Sequence, residues 1–160
     1  MKRFYVKERL FAIGTKFDIY DENNNKIFIA EADKFDIGRN ISIYNLNNRK
    51  LLYMRQQIRL GTHKYIAYDE SMKEIATIKK EFMIPEYDIT GAVGVMNIES
   101  SNILGRSYEI KRNGMIIGKI SKELTLGRDR YFLEVIDEYY TTFFIGLLVM
   151  IDMIKFHKDN

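Results

Sequence analysis

Phe143-Phe144-Ile145-Gly146-Leu147-Leu148-Val149-Met150-Ile151 is the apolar stretch that decides how this chain folds. A helix that is apolar on every face must be covered on every face, either by lipid or by protein. The uncharged run extends only from Tyr139 to Ile151, whereas a bilayer span needs about 20 apolar residues. We therefore expect no transmembrane segment. The stretch predicts a helix from Asp137 to His157 that is buried inside the protein itself.

The sequence pattern predicts that the rest of the chain consists of repeated hairpin units, most of which begin with a glycine. The glycines are Gly14, Gly38, Gly61, Gly105 and Gly127, and the interval between the third and the fourth spans two periods. A degraded copy of the unit fills that interval, with Glu86–Ile89 and Val93–Ile98 on either side of Thr90-Gly91. Self-similarity at a period of about 20–50 residues is typical of a repeated supersecondary unit.

Within the units, apolar residues alternate with polar ones, which is the pattern of a half-buried strand. Asn- and Gly-rich segments between the strands, such as Lys111-Arg112-Asn113-Gly114, favour hairpin turns. Six units of two strands predict a meander of about twelve strands, and a sheet of that size closes to remove its edges. The predicted fold class is therefore mainly β: a closed antiparallel barrel of about twelve strands around a central hydrophobic C-terminal α-helix. We expect residues 1–160 to form one such domain.

The composition narrows the possible functions. Cysteine is absent, which excludes disulfides, thiolate nucleophiles and cysteine metal sites, and favours the reducing cytoplasm. The net charge of +3 is too small for a dedicated nucleic-acid binder. We expect the two histidines, His63 in a loop and His157 near the end, to be solvated. No catalytic motif is present, so we expect neither enzyme activity nor a metal or other cofactor.

Seven short motifs carry a family resemblance through their order and spacing. They are Tyr5-Val6-Lys7, Phe17-Asp18-Ile19-Tyr20-Asp21, Ile78-Lys79-Lys80, Pro85-Glu86-Tyr87-Asp88-Ile89, Tyr108-Glu109-Ile110, Ile120-Ser121-Lys122 and Ile151-Asp152. Taken together, the chain resembles the LURP-one-related proteins over essentially its full length. This resemblance implies the tubby-like fold, a twelve-stranded antiparallel barrel around a central C-terminal helix. Tubby proteins with that fold bind phosphoinositide head groups, and phospholipid scramblases are thought to share it. No catalytic motif carries over.

Charge is unevenly divided between the two ends of the predicted barrel. The connections between units sum to +5, whereas the hairpin turns are slightly acidic. Arginine directly follows the glycine at Arg39, Arg106 and Arg128. Arginine and lysine gathered at one rim are suited to hold the phosphate of a lipid head group or a nucleotide. The predicted ligand-binding residues are Arg39, Arg55, Arg59, Lys64, Arg106, Lys122, Arg128 and Arg130.

Two functional hypotheses follow from different classes. The first is a monomeric, cytoplasmic, non-enzymatic binding module that engages a phospholipid head group or another anionic ligand at the basic rim, with no nucleic-acid partner. The alternative is a soluble protein-interaction or scaffold domain, which would expose an apolar patch on the order of several hundred Å². Asp152, the charge inside the predicted helix, needs a partner or a position near the barrel mouth.

Overall fold

Twelve strands follow one another around a barrel in chain order. The structure, a computed structural model, describes residues 1–8, 15–33, 40–59, 62–80, 86–101, 106–125 and 128–156. The strands are β1 (Lys2–Glu8), β2 (Thr15–Asp21), β3 (Lys26–Ala32), β4 (Ile41–Asn45), β5 (Lys50–Arg59), β6 (Thr62–Tyr68), β7 (Glu74–Lys80), β8 (Tyr87–Thr90), β9 (Met96–Ser100), β10 (Ser107–Arg112), β11 (Met115–Thr125) and β12 (Arg128–Val135). Each strand pairs antiparallel with its sequence neighbours, and β12 pairs with β1. The predicted closed barrel is confirmed.

The closing strand, β1, is the one that the hairpin repeat does not predict. Val6 is the register partner of both Ile19 on β2 and Tyr131 on β12. Phe4 and Val6 are buried although the segment around them is rich in charge. Alternate residues of this charged segment therefore face the interior. Their pairing on both sides leaves the sheet without an open edge at this point.

The apolar helix fills the barrel. A single 3₁₀ turn (Glu138–Tyr140) leads into α1 (Thr141–Phe156), which is about 24 Å long at 1.5 Å per residue. Every residue from Phe143 to Ile151 is buried, and Phe144 is 0% exposed. The side chain of Asp137 accepts a hydrogen bond from the backbone N–H of Tyr139 and so caps the turn. The predicted central helix is confirmed, with its regular part beginning at Thr141.

Two glycines let the helix and the wall approach each other closely. A Cβ atom at Gly146 of α1 would overlap the side chains of Leu52 and Met54 on β5. A Cβ atom at Gly118 of β11 would lie 3.0 Å from the ring of Phe144. Interiors packed at crystal-like density leave no room for such an atom without displacement of a neighbour. A residue larger than glycine at either position would therefore push the helix and the barrel wall apart.

Three hairpin turns repeat with a spacing of 24 residues and share one hydrogen-bonding pattern. The side chains of Asp21, Asn45 and Asp69 each accept two hydrogen bonds, from the backbone N–H groups two and four residues further on. The fourth residue of each turn has a left-handed backbone, with φ of 65° at Asn24, 63° at Asn48 and 62° at Met72. Asparagine tolerates this conformation well, whereas methionine does not.

Three local expectations were wrong. Lys111 and Arg112, expected in a turn, belong to β10, because Asn113 and Gly114 alone form a two-residue turn with positive φ at both positions. The strand expected from Val93 begins only at Met96, after a turn of residues 91–95. His63, expected in a loop, lies in β6, although it is exposed as predicted. His157 lies outside the described residues.

The barrel has two ends. We call the end formed by residues 22–25, 46–49, 69–73, 91–95, 113–114 and 136–140 the hairpin end. The opposite end, where odd-numbered strands finish and even-numbered strands begin, is the connection end. The segments 9–14, 34–39, 60–61, 81–85, 102–105, 126–127 and 157–160 lie outside the described residues. Helix α1 starts at the hairpin end and runs towards the connection end.

Candidate functional site at the connection end

Polar side chains occupy inward-facing positions near the connection end on eight successive strands. In a strand, alternate residues face the same side, so residues in phase with the buried core face the interior. On β5 to β12, the polar residues that share this phase and are at least partly buried near the connections are Gln56, Tyr65, Lys80, Tyr87, Ser100, Tyr108, Lys122 and Tyr131. We call these eight residues the polar mouth. They cover two-thirds of the strands around the barrel.

The polar mouth is built from four repeated cross-strand pairs. Each pair places one tyrosine directly opposite another polar residue, in the register Gln56↔Tyr65, Lys80↔Tyr87, Ser100↔Tyr108 and Lys122↔Tyr131. Phe17 and Ile41 hold the equivalent positions on β2 and β4. Tyrosine therefore occupies this position only on the strands that follow the last four connections, which are β6, β8, β10 and β12. Because cross-strand partners have their Cβ atoms about 5 Å apart, each pair forms one continuous polar surface.

The four phenols are buried and close enough to influence one another. Tyr65, Tyr87, Tyr108 and Tyr131 are all less than one-tenth exposed. Burial raises the pKa of Tyr87 well above its ordinary value, and the phenols of Tyr108 and Tyr65 raise it further. Burial together with neighbouring Tyr131 raises the pKa of Tyr108 to about 12. At neutral pH these phenols are uncharged, so they are able to donate hydrogen bonds inside the mouth.

The two lysines make the polar mouth rich in donors and positive charge. Lys122 is half-buried, and its Nζ lies 5.4 Å from the centroid of the Tyr131 ring, a cation–π contact. The backbone N–H of Lys122 donates to the carbonyl oxygen of Arg106 at 2.8 Å, which ties β11 to the start of β10. Lys80 is also half-buried. Phenol, ammonium and amide donors in one ring are suited to an oxygen-rich anion.

One carboxylate approaches this region from the helix. Asp152 is half-buried and lies in the last part of α1, towards the connection end. Its position agrees with the expectation that a charge in this helix lies near the mouth rather than in the middle of the core. Within the described ranges, no three carboxylate or histidine side chains come together in a way that could hold a metal ion.

The sequence as a whole matches one protein family. The model of the LURP-one-related family matches residues 2–152, nearly the entire chain. The chain belongs to the LURP-one-related family. The closed barrel and its central helix agree with the tubby-like fold that the resemblance implies. No match was found among curated proteins.

A solved structure shares the fold of this LURP-one-related chain. The X-ray structure of a protein from Arabidopsis thaliana has a TM-score of 0.65 and 13% sequence identity. The alignment covers 96% of this chain and 91% of the plant protein. At that identity the likeness shows the fold alone. In the described part of the chain, no helix combines the length and the apolar character that a membrane span requires.

The predicted rim residues whose side chains the structure describes lie on different faces of the barrel. Lys122 faces the barrel interior, whereas Arg55 and Lys64 are out of phase with the core and lie on the outer wall, Arg55 exposed and Lys64 half-buried. Arg106 is exposed just before β10. The backbones of three further predicted residues lie near strand ends at the connection end: Arg59 on β5, and Arg128 and Arg130 on β12. Arg39 lies outside the described residues.

On the outer wall, Lys64 and Lys79 are direct cross-strand partners. Like charges placed opposite each other in a sheet are destabilising. Arg55 and Lys64 lie on adjacent strands two register positions apart along the wall. A basic strip therefore continues from the connection end down the outside of β5, β6 and β7.

Sequence reasoning missed most of the polar mouth because it searched for charge in connections rather than for hydroxyls on strands. One signal was present. A tyrosine stands three or four residues after Gly61, Gly105 and Gly127, and two residues after Pro85. These tyrosines are inward-facing residues in the first half of β6, β8, β10 and β12. A single tyrosine near the end of a buried strand is common, because its ring packs in the core while its hydroxyl reaches polar groups. The pattern indicates a site only because it recurs on four strands of one closed barrel.

Proposed function

We propose that this LURP-one-related protein is a non-enzymatic binding domain that holds an anionic phosphate group at the connection end of its barrel. The observation that carries the proposal is the polar mouth, in which two half-buried lysines stand among four buried tyrosines. Charge-assisted hydrogen bonds in a partly desolvated site are about twice as strong as neutral ones. A phospholipid head group and a free phosphate ester share this chemistry, and the lipid head group is the ligand we favour.

The basic strip on the outer wall supports a lipid over a free ligand. Arg55, Lys64 and Lys79 lie outside the mouth, where they would face neighbouring head groups of an anionic leaflet. Each Lys or Arg near such a surface contributes about 1 kcal/mol of attraction. We further propose that the protein acts as a monomer in the cytoplasm. The absence of cysteine supports the compartment, and the closed barrel supports the monomer by leaving no edge strand for pairing.

Vesicle co-sedimentation at low salt tests the proposal. The probes are vesicles of phosphatidylcholine alone, vesicles that also contain phosphatidylinositol phosphates, and inositol hexakisphosphate in solution. We expect binding to the phosphoinositide vesicles, and a loss of affinity of about tenfold or more in the double variant Lys80→Gln with Lys122→Gln, since two charged hydrogen bonds are lost. Inositol hexakisphosphate binding without vesicle binding would assign the site to a soluble phosphate ester.

A matched control removes the same charge from the other end. Lys50 and Lys73 are exposed lysines of the hairpin end, so Lys50→Gln with Lys73→Gln lowers the net charge equally. This control should bind the phosphoinositide vesicles like the unmodified protein. Equal binding of both double variants, or no binding to any phosphate probe, would overturn the proposal.

A further inference from the structure

The hairpin end has a different surface, with exposed apolar side chains around a cavity. Among the described residues, all the exposed large hydrophobic side chains lie at this end: Met1, Leu46, Met72, Val95, Met115, Ile136 and Tyr139. Tyr139 is 88% exposed. Single exposed apolar residues are ordinary, but several of them grouped on one surface are typical of an interaction surface.

Three of these residues belong to the segments that border a cavity beside the start of α1. The cavity has a volume of about 430 Å³, within the range of ligand pockets, which is about 300–1,000 Å³. Its walls come from β5, from the turns at 69–73 and 91–95, and from the start of α1. Met72, Val95 and Tyr139 are carried by the turns that border it.

The aromatic side of this cavity is held in place before any partner arrives. The ring of Tyr139 meets that of Tyr140 edge-on at 5.0 Å, and Tyr140 stacks on the buried Phe144 at 5.6 Å. Arg112 donates a hydrogen bond to the hydroxyl of Tyr140 at 2.5 Å, and that hydroxyl donates to the carbonyl oxygen of Val93. A preorganised aromatic surface loses little entropy on binding, which is why Tyr is enriched at the energetic centres of interfaces.

Met72 gives an independent reason to infer an interaction surface at the hairpin end. It occupies the left-handed turn position that Asn24 and Asn48 hold in the two equivalent turns, and it is 54% exposed. A non-glycine residue in that conformation costs on the order of 1 kcal/mol, and exposure of the side chain offers no burial in return. Strain of this kind that is kept at an exposed position points to a function for the side chain rather than to folding.

Charge indicates what kind of partner fits. The charged residues that line the cavity, Asp69 and Glu70, are both carboxylates. Glu70 is already held by Arg49 at 2.8 Å, so a partner's cation would join or replace that ion pair. Asp137, beside Tyr139, adds further negative charge, whereas Glu138 is already paired with Lys2 and with the N-terminal amine of Met1. An anionic membrane surface would be repelled here, whereas a basic polypeptide would be attracted.

We propose that the hairpin end docks a partner polypeptide segment that inserts a large apolar side chain into this cavity and places a lysine or arginine beside Asp69 and Glu70. This goes beyond phosphate binding, because the docking surface lies at the opposite end of the barrel from the polar mouth. The two ends together would let one molecule hold an anionic ligand and a protein partner at the same time.

A phage-displayed random peptide library selected against the full chain provides the test. We expect the selected peptides to share a large apolar residue next to Lys or Arg. A synthetic copy of the best peptide should bind the protein, and a copy with its basic residues replaced by glutamate should bind at least about tenfold more weakly. Selection of acidic peptides, or no enrichment, would overturn the proposal.

Variants of the protein separate docking from folding. Met72→Asn should weaken peptide binding by about fivefold or more while it raises the melting temperature, so the loss cannot be ascribed to unfolding. Tyr139→Ala should weaken binding by about tenfold or more, the loss expected of an aromatic anchor. Met115→Ser is the matched control, because Met115 is equally apolar and 70% exposed but belongs to the hairpin of β10 and β11, which does not line the cavity.

Phosphatidylcholine vesicles complete the experiment. If Met72→Asn and Tyr139→Ala reduce binding to these vesicles and leave peptide binding unchanged, the surface inserts into a membrane and the proposed protein partner is wrong. Failure of the Lys80 and Lys122 test would leave this proposal standing, because the two experiments share no variant and the peptide probes are used only here.

Discussion

The two ends of this barrel use the same antiparallel wall in opposite ways. At the connection end, polar residues face inwards, and four buried tyrosines and two half-buried lysines lie along part of the barrel wall, on β6 to β12. At the hairpin end, tight turns are fixed by side-chain hydrogen bonds, and the apolar residues face outwards. The difference shows that one repeated hairpin can carry buried polar residues near one end of the barrel and exposed apolar residues at the other.

The helix should tolerate mutation less well near the hairpin end than near the connection end. Phe144 is fully buried, stacks on Tyr140 and abuts Gly118, whereas Met153 lies near the polar mouth. We expect Phe144→Ala to lower the free energy of unfolding by about 3–5 kcal/mol, the range for a large core truncation. Met153→Ala should cost less, because polar surroundings allow the cavity to hydrate.

Urea unfolding of both variants, followed by circular dichroism, measures this comparison. A larger loss for Met153→Ala than for Phe144→Ala would show that the connection end is the more tightly packed of the two. Tyr139→Phe is a suitable control for the urea experiment, since its ring is exposed.

Alkaline pH should destabilise the protein through its connection end. The folded-state pKa of Tyr108 is raised to about 12 and that of Tyr87 is raised further, above the ordinary value of 10.0. Between those values the unfolded chain has lost protons that the folded chain still holds. Stability is therefore fully present below about pH 10 and falls as pH rises, by up to about 1.4 kcal/mol per pH unit for each tyrosine.

The measurement is the melting temperature between pH 9 and pH 12. Tyr87→Phe combined with Tyr108→Phe should flatten the decline, because phenylalanine does not titrate. Tyr139→Phe, at the hairpin end, should leave the decline as it is. An equal decline in the double variant would mean that the polar mouth is open to water in a way that its burial does not suggest.

The smallest effect is expected in the turns of the hairpin end. Met72→Asn should stabilise the protein by about 0.5–1 kcal/mol, because asparagine accepts the left-handed backbone that methionine resists. Asn48→Met, at the equivalent position of the preceding hairpin, should destabilise it by a similar amount. Thermal unfolding at neutral pH compares the two. If neither variant changes the melting temperature measurably, the backbone at Met72 is not strained.

The family and the fold could be predicted from the sequence, and the site only in small part. Lys122 was predicted to bind the ligand and lies in the polar mouth, whereas Arg55 and Lys64 were placed on the same rim and lie on the outer wall. The order of charged residues along the chain does not distinguish a lysine that faces the interior from one that lies on the outer wall. Which face a side chain occupies depends on its phase relative to the buried core, and a shift of one residue reverses the face.

The sequence by itself determined the helix and the repeat. The uncharged run is too short to span a bilayer and is apolar on all sides, so protein has to enclose it. The recurring Asn- and Gly-rich turns indicate a series of β-hairpins, and their strands form the wall around the helix. The tertiary structure alone decided that the charged first residues form the closing strand β1 and that four tyrosines and two lysines meet at one mouth. The four tyrosines and two lysines are spread from position 65 to position 131 of the chain, and the curvature of the sheet into a barrel brings them to one end.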